Sequence, residues 1–121
     1  MKVLDASAVL AFLLREPGWQ AVERALGEGA ACGAANYCEV AQKMLMAGRD
    51  WDAARELLRL YQVSVAPVTV EDAEWAARRW RPGESLPLAG RLCLALATRL
   101  DCQALTADRA WGTGPPVRQI R

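Results

Sequence analysis

The 121-residue chain contains no histidine, and that absence excludes more than any residue present. Without imidazole there is no Ser-His-Asp or Cys-His nucleophile system, no paired-His ribonuclease chemistry and no His-ligated zinc, copper or haem. Lysine is nearly absent as well, with only Lys2 and Lys43. Acid/base or metal chemistry therefore falls to carboxylates and thiols. The 4 cysteines, Cys32, Cys38, Cys93 and Cys102, form no CxxC pair and sit among apolar neighbours. They read as small buried hydrophobes of a reducing compartment, with zinc binding a distant second. No apolar run approaches the ~20 residues that span a bilayer. Asp5 interrupts what would be the apolar region of a secretory signal. A soluble, cytoplasmic protein without a membrane partner is expected.

The length suits one domain, residues 1–121, able to bury roughly two-thirds of its unfolded surface. A formal charge of +1 points to no partner through bulk electrostatics. The basic residues are skewed towards arginine, which binds phosphate bidentately; codon usage or thermal adaptation gives the same skew.

Short β-like runs alternate with helical stretches, so a layered α/β domain with a five-stranded parallel sheet is expected. Strands are read at Lys2–Leu4, Ala30–Ala34, Val63–Val68, Gln103–Thr106 and Val117–Ile120. Helices are read at Ala6–Arg15, Gln20–Gly27, Tyr37–Ala47 (opened by Asn36), Trp51–Tyr61, Val70–Trp80 and Leu88–Leu100, with a short turn at Asp108–Trp111. The face Trp51, Ala54, Leu57, Leu58 and Tyr61 is expected to be buried.

In open parallel sheets, ligands bind outside the carboxyl ends of the strands, where strand order reverses. Asp5 follows the first strand, Asp108 follows Gln103–Thr106, and Glu39 is read in the first turn of the helix after Ala30–Ala34. If the strands before Asp5 and Asp108 are neighbours, three carboxylates converge on one crevice. Such a rim suits a hard cation such as Mg²⁺, with several waters and a phosphate substrate, and implies attack on a phosphodiester by metal-activated water. Each acid also has a structural reading. Asp5 and Asp108 read as caps of the helices that follow, and Asn36-x-x-Glu39 as a capping box.

Four segments carry a family resemblance: Val3-Leu4-Asp5-Ala6-Ser7-Ala8-Val9, Asn36-Tyr37-Cys38-Glu39-Val40-Ala41, Leu92-Cys93-Leu94-Ala95-Leu96-Ala97 and Leu105-Thr106-Ala107-Asp108-Arg109-Ala110-Trp111. In order and spacing they resemble the successive motifs of PIN domains, specifically VapC-type toxins. The resemblance implies a three-layer α/β/α PIN-like domain and a Mg²⁺-dependent endoribonuclease, with Mn²⁺ as an alternative ion. It also implies an RNA substrate, a VapB-type antitoxin partner and a homodimer. Asp5 and Asp108 would be metal ligands, Glu39 a further catalytic acid, and Ser7 and Thr106 polar support.

One position departs from the pattern. VapC-type chains carry an Asp near the start of the helix that here reads Leu88-Ala89-Gly90-Arg91, and Gly90 stands in its place. Asp101 lies roughly 16 Å along that helix, too far to substitute; Glu84, in the preceding loop, is stiffened away by Pro87. Two explanations stay open: a naturally degenerate PIN domain kept as an antitoxin- or RNA-binding module, or an inactivating Asp→Gly change in a toxin. Arg91 and Arg109, each one residue after a site position, are candidate contacts to RNA phosphate or antitoxin; an equal reading has both solvated or paired with neighbouring acids. The cluster Arg78, Arg79 and Arg81 reads as a helix C-terminus. Trp75 and Trp80 read as core or dimer residues rather than base-stacking platforms. Other Asp-dependent folds fit worse. A haloacid-dehalogenase-like phosphatase needs a second Asp where Ser7 stands, and a receiver domain needs an acidic pair and a late lysine.

Overall fold

The first strand, β1 (Lys2–Leu4), has only three residues, yet it holds the centre of the molecule. Val3 and Leu4 are fully buried on opposite faces, as the two-residue alternation of a strand requires. The computed structural model describes all residues, 1–121. After β1 the chain runs through α1 (Ala6–Leu14), α2 (Trp19–Glu28), β2 (Ala30–Gly33), α3 (Ala34–Met46), α4 (Trp51–Leu60) and β3 (Ser64–Ala66). It continues through α5 (Val70–Arg79), α6 (Leu88–Arg99), β4 (Gln103–Thr106), a 3₁₀ turn (Arg109–Trp111) and β5 (Val117–Gln119).

All five strands are parallel, in the order β3-β2-β1-β4-β5. The three-layer α/β/α arrangement follows from which residues the strands send to each face. Leu4 and Leu105 face a core filled by α1, α2, α3 and α4, including Val9, Phe12, Val22, Val40 and Leu58. Val3, Ala104 and Val117 face a smaller core filled by Cys93, Leu94, Leu96 and Ala97 of α6, with Trp75 of α5 against it. β1 and β4 are direct neighbours, pairing Val3 with Ala104 and Leu4 with Leu105, so the condition for convergence of Asp5 and Asp108 is met.

Several local expectations are revised. α1 ends at Leu14, because Arg15 adopts a left-handed conformation with φ 55° and returns its N–H to the Ala11 carbonyl. α3 begins at Ala34, two residues before the expected Asn36 opener, with Gly33 in the cap position. No Asn36-x-x-Glu39 capping box exists, and Glu39 lies in the second turn. Leu57 turns outwards. Of the four cysteines, Cys32 and Cys93 are buried, Cys102 is half-buried and Cys38 is exposed on α3. Burial pushes the Cys32 thiol up to about 12, which makes it an inert core residue. Trp75 packs against the smaller core, whereas Trp80 is exposed. No helix is long and apolar enough to cross a membrane.

Candidate active site

The chain lays down β1, β2 and β3 in one direction across the sheet, then returns to place β4 and β5 on the other side of β1. Strand order therefore reverses at the β1–β4 boundary, and the carboxyl ends there open a crevice. A pocket of about 90 Å³ occupies it, lined by Asp5, Ser7, Asn36, Glu39, Lys43, Pro87, Gly90, Asp108 and Trp111. The three acids named from sequence thus share one pocket, at graded depth: Asp5 is 4% exposed, Glu39 half-buried and Asp108 exposed.

Asp5 is held by two hydroxyls and one amide. Ser7 Oγ donates to the carboxylate at 2.7 and 3.0 Å, Thr106 Oγ1 donates to Oδ2 at 2.7 Å, and the Ala8 N–H donates to Oδ1 at 2.8 Å. The hydroxyls are themselves oriented, because the Ala107 N–H donates to Ser7 Oγ at 2.9 Å and the Asp108 N–H donates to Thr106 Oγ1 at 3.0 Å. Each hydroxyl has its acceptor role filled by backbone and directs its one proton at Asp5. Ser7 and Thr106 therefore fix the Asp5 carboxylate across the β1–β4 seam.

No arginine or lysine pairs with Asp5, and burial pushes its carboxyl above the ordinary range despite these hydrogen bonds; the charge of Asp108 adds to the rise. Asp5 does cap α1, and Asp108 caps the 3₁₀ turn through the Ala110 N–H at 2.9 Å. Capping accounts for part of what each does. It does not account for an unneutralised carboxylate buried beside a second one, an arrangement costly to stability unless a cation or proton compensates it.

Position 90, where the resemblance expects an acid, lines the same pocket. Gly90 is buried in the first turn of α6, and a Cβ added there would stand 2.9 Å from Trp111 Cζ2 and 3.0 Å from Leu86 Cδ1. The indole edge of Trp111 fills the space that a side chain at 90 would need. Neither substitute acid weighed from sequence reaches the pocket. Glu84 is held by Arg79 at 2.6 and 3.2 Å, and Asp101 follows the far end of α6.

The two arginines singled out from sequence lie outside the pocket's lining. Arg91 is half-buried and donates to the Ala76 carbonyl at 2.7 Å, tying α6 to α5. Arg109 is exposed on the 3₁₀ turn. The cation that does line the pocket is Lys43, one helical turn after Glu39 on α3 and in no ion pair. The spacing Glu39-x-x-x-Lys43 is the signal that would have found it.

The donors match a hard cation in kind. They are all oxygens, the charge of Asp5 is uncompensated, and the buried Asn36 Oδ1 beside them has no hydrogen-bond partner while its amide nitrogen donates to the Ala89 carbonyl at 3.2 Å. No three acidic or thiol side chains stand close enough to form a ready metal cage. Mg²⁺ retains several waters and needs only one or two protein carboxylates, so the residues fit an ion held partly through water.

Comparison with known proteins adds the lineage. The family profile described as PIN domain matches residues 2–112. No curated protein matches at a significant level. Among solved structures, the chain is similar to one in a toxin–antitoxin complex from Klebsiella pneumoniae, with 15% identity, a TM-score of 0.80, and coverage of 100% of this chain and 98% of that one. It is also similar to a chain of FitAcB from Neisseria gonorrhoeae, with 18% identity, a TM-score of 0.72, and coverage of 100% and 97%. At such identities these structures show a shared fold.

Proposed function

The chain belongs to the PIN-domain family, and from that premise we propose that it is a VapC-type endoribonuclease toxin acting at an all-carboxylate Mg²⁺ or Mn²⁺ site. PIN domains are generally nucleases. The observation that carries the proposal is the buried, cation-free carboxylate of Asp5, sharing one small pocket with Glu39 and Asp108 at the sheet's switch point. Bound Mg²⁺ supplies Lewis-acid charge and a water of lowered pKa. Asp5, locked by Ser7 and Thr106, gives a fixed anionic anchor at the pocket floor. Asp108, at the rim, would be the second acid to hold the ion, and Glu39 would position metal or water. The 3₁₀ turn Arg109–Trp111 holds Asp108 in place through the Ala110 N–H.

The same reading assigns RNA as substrate, a VapB-type antitoxin as inhibitor, a homodimer as the working unit and the cytoplasm as its location. Support for the antitoxin comes from the toxin–antitoxin complex in which the similar chain from Klebsiella pneumoniae was solved. The test is cleavage of labelled RNA in Mg²⁺ or Mn²⁺ against EDTA. Glu39→Gln and Asp108→Asn, neither at a fully buried position, are expected to reduce the rate by about 10²-fold or more, the scale of a lost acid/base group. Metal-dependent cleavage that survives both substitutions would overturn the site assignment.

A second reading is favoured by Gly90: a PIN domain without cleavage, retained to bind RNA or antitoxin. Trp111 packs into the space of the missing acid, as expected of a site reshaped around its loss rather than of an isolated point change. Failure of the parent chain to cleave in either metal, together with retained RNA or antitoxin binding, would select this reading.

A further inference from the structure

The acid pocket does not end at Lys43. Ser7 and Lys43 also line a second cleft, of about 340 Å³, running between α1 and α3 past Leu10, Leu14, Glu16, Met44, Arg49 and Arg121. Two shared residues make the clefts contiguous, one anionic and the other cationic. Lys43 and Arg49 enter no ion pair, and Arg121 gives one nitrogen to the Pro17 carbonyl at 2.9 Å, which fixes its side chain at the cleft without neutralising it. Glu16 is the one acid among the lining residues. Three cations against one acid, opening directly onto the carboxylates, complement a polyanion that must bring one phosphate to the acids while the next lies elsewhere.

We propose that Lys43, Arg49 and Arg121 form a phosphate-binding track that holds single-stranded RNA on one side of the acid pocket. The proposal rests on the RNA reading above and adds which part of the surface carries the strand. Phosphate contacts of this kind position the substrate without reading its sequence. Lys43, at the junction of the clefts, would hold the phosphate nearest the acids, whereas Arg49 and Arg121 hold those further out. The arginine positions anticipated from sequence, Arg91 and Arg109, have no part in this track.

The test is fluorescence anisotropy of a labelled single-stranded oligoribonucleotide of about ten nucleotides, titrated with full chain in EDTA over a range of salt, so that binding is read without cleavage. Each phosphate contact to a single strand contributes about 0.7 to the slope of log affinity against log salt. Lys43→Gln, Arg49→Gln and Arg121→Gln are each expected to lower the slope by about 0.7, and the triple variant by about 2, with at least about tenfold weaker binding at moderate salt. Lys43→Arg should keep the parent slope. Arg24→Gln, in a cleft sharing no residue with the acid pocket, should also leave it unchanged. All four positions are exposed, and an unchanged unfolding midpoint confirms that the variants fold. A parent that binds RNA while the triple variant keeps its slope overturns the track alone. A parent that binds no RNA even at low salt overturns both the track and the RNA reading. Binding of a hexaglutamate peptide, lost in the triple variant while RNA binding is not, would make the cleft a protein-docking surface and overturn the proposal.

Discussion

At position 90 three physical preferences oppose one another, and their sizes decide what introducing an acid would do. Replacing Gly by Asp inside a helix gains a few tenths of a kcal/mol in propensity, and a carboxylate in the first turn gains about 0.3–1 kcal/mol from the helix dipole. Against them stands the overlap with Trp111 and Leu86, at 2.9 and 3.0 Å from the new Cβ, and overpacking of this kind costs about 1–3 kcal/mol. The clash wins. Gly90→Asp alone is expected to lower stability by about 1 kcal/mol, read from the urea midpoint, and to leave nuclease activity unimproved. Adding Trp111→Leu makes room for the side chain, so the double variant should regain stability and cleave RNA faster than the parent in Mg²⁺. A single Asp variant as stable as the parent and newly active would show that Trp111 yields freely and that Gly90 alone had silenced the site. Gly90 stood out in the sequence because it departs from the pattern the chain otherwise resembles. The contact with Trp111 did not, because the two meet only through tertiary packing.

The elements that carry the site are secured at their other ends, α6 by a charged clamp to α5. Asp72 is buried and completes a capping box with Thr69 at the start of α5. It also accepts two bonds from Arg99 at 2.9 and 3.0 Å. The Arg99 guanidinium holds the Asp72 carboxyl below its ordinary range, with the Thr69 cap contributing further. Asp72→Ala removes the cap and leaves Arg99 unpaired, which should cost about 2–4 kcal/mol, seen as a lower denaturant midpoint with unchanged slope. A carboxylate with depressed folded pKa stabilises above its unfolded pKa and loses that contribution as pH falls through the folded one. The gap between parent and variant should therefore be full at pH 7 and narrow as pH falls below the ordinary carboxylate range. A gap constant into strong acid would mean that packing rather than charge supplies it. The acids at the start of α5 and the arginines at its end were legible in the sequence, since both follow the helix dipole. It misled at α3, where Asn36 looked like a cap but sits buried inside the first turn, bonded to the Ala89 carbonyl. Capping signals and tertiary donors use the same residue types, and only packing separates them.

Across the whole molecule, sheet topology turns three distant acids into one site, and that much was legible because each acid follows directly on a strand or its helix. Lys43 was not, since its place in the pocket depends on how α3 packs in the fold. The same topology couples the site to global stability, because Asp5 sits between the central strand and α1 and is buried without a compensating cation. A divalent ion that binds the native pocket and not the unfolded chain must then stabilise the fold by RT ln(1 + [L]/Kd). At tenfold excess over Kd this is about 1.4 kcal/mol, or roughly 4–7 °C in Tm for a domain of this size. Mg²⁺ should therefore raise the parent's Tm, with the gain growing as the logarithm of its concentration above Kd, whereas equal ionic strength of NaCl should not. Asp108→Asn should weaken the effect, and Asp5→Asn combined with Asp108→Asn should abolish it, since no adjacent pair of charges is left to neutralise. This measurement requires no turnover, so it separates metal binding from cleavage at the Gly90 site. A Mg²⁺-specific shift that persists in the double variant would place the ion elsewhere, whereas a parent indifferent to Mg²⁺ and Mn²⁺ would show that the three carboxylates bind no metal and that the chain acts by binding alone.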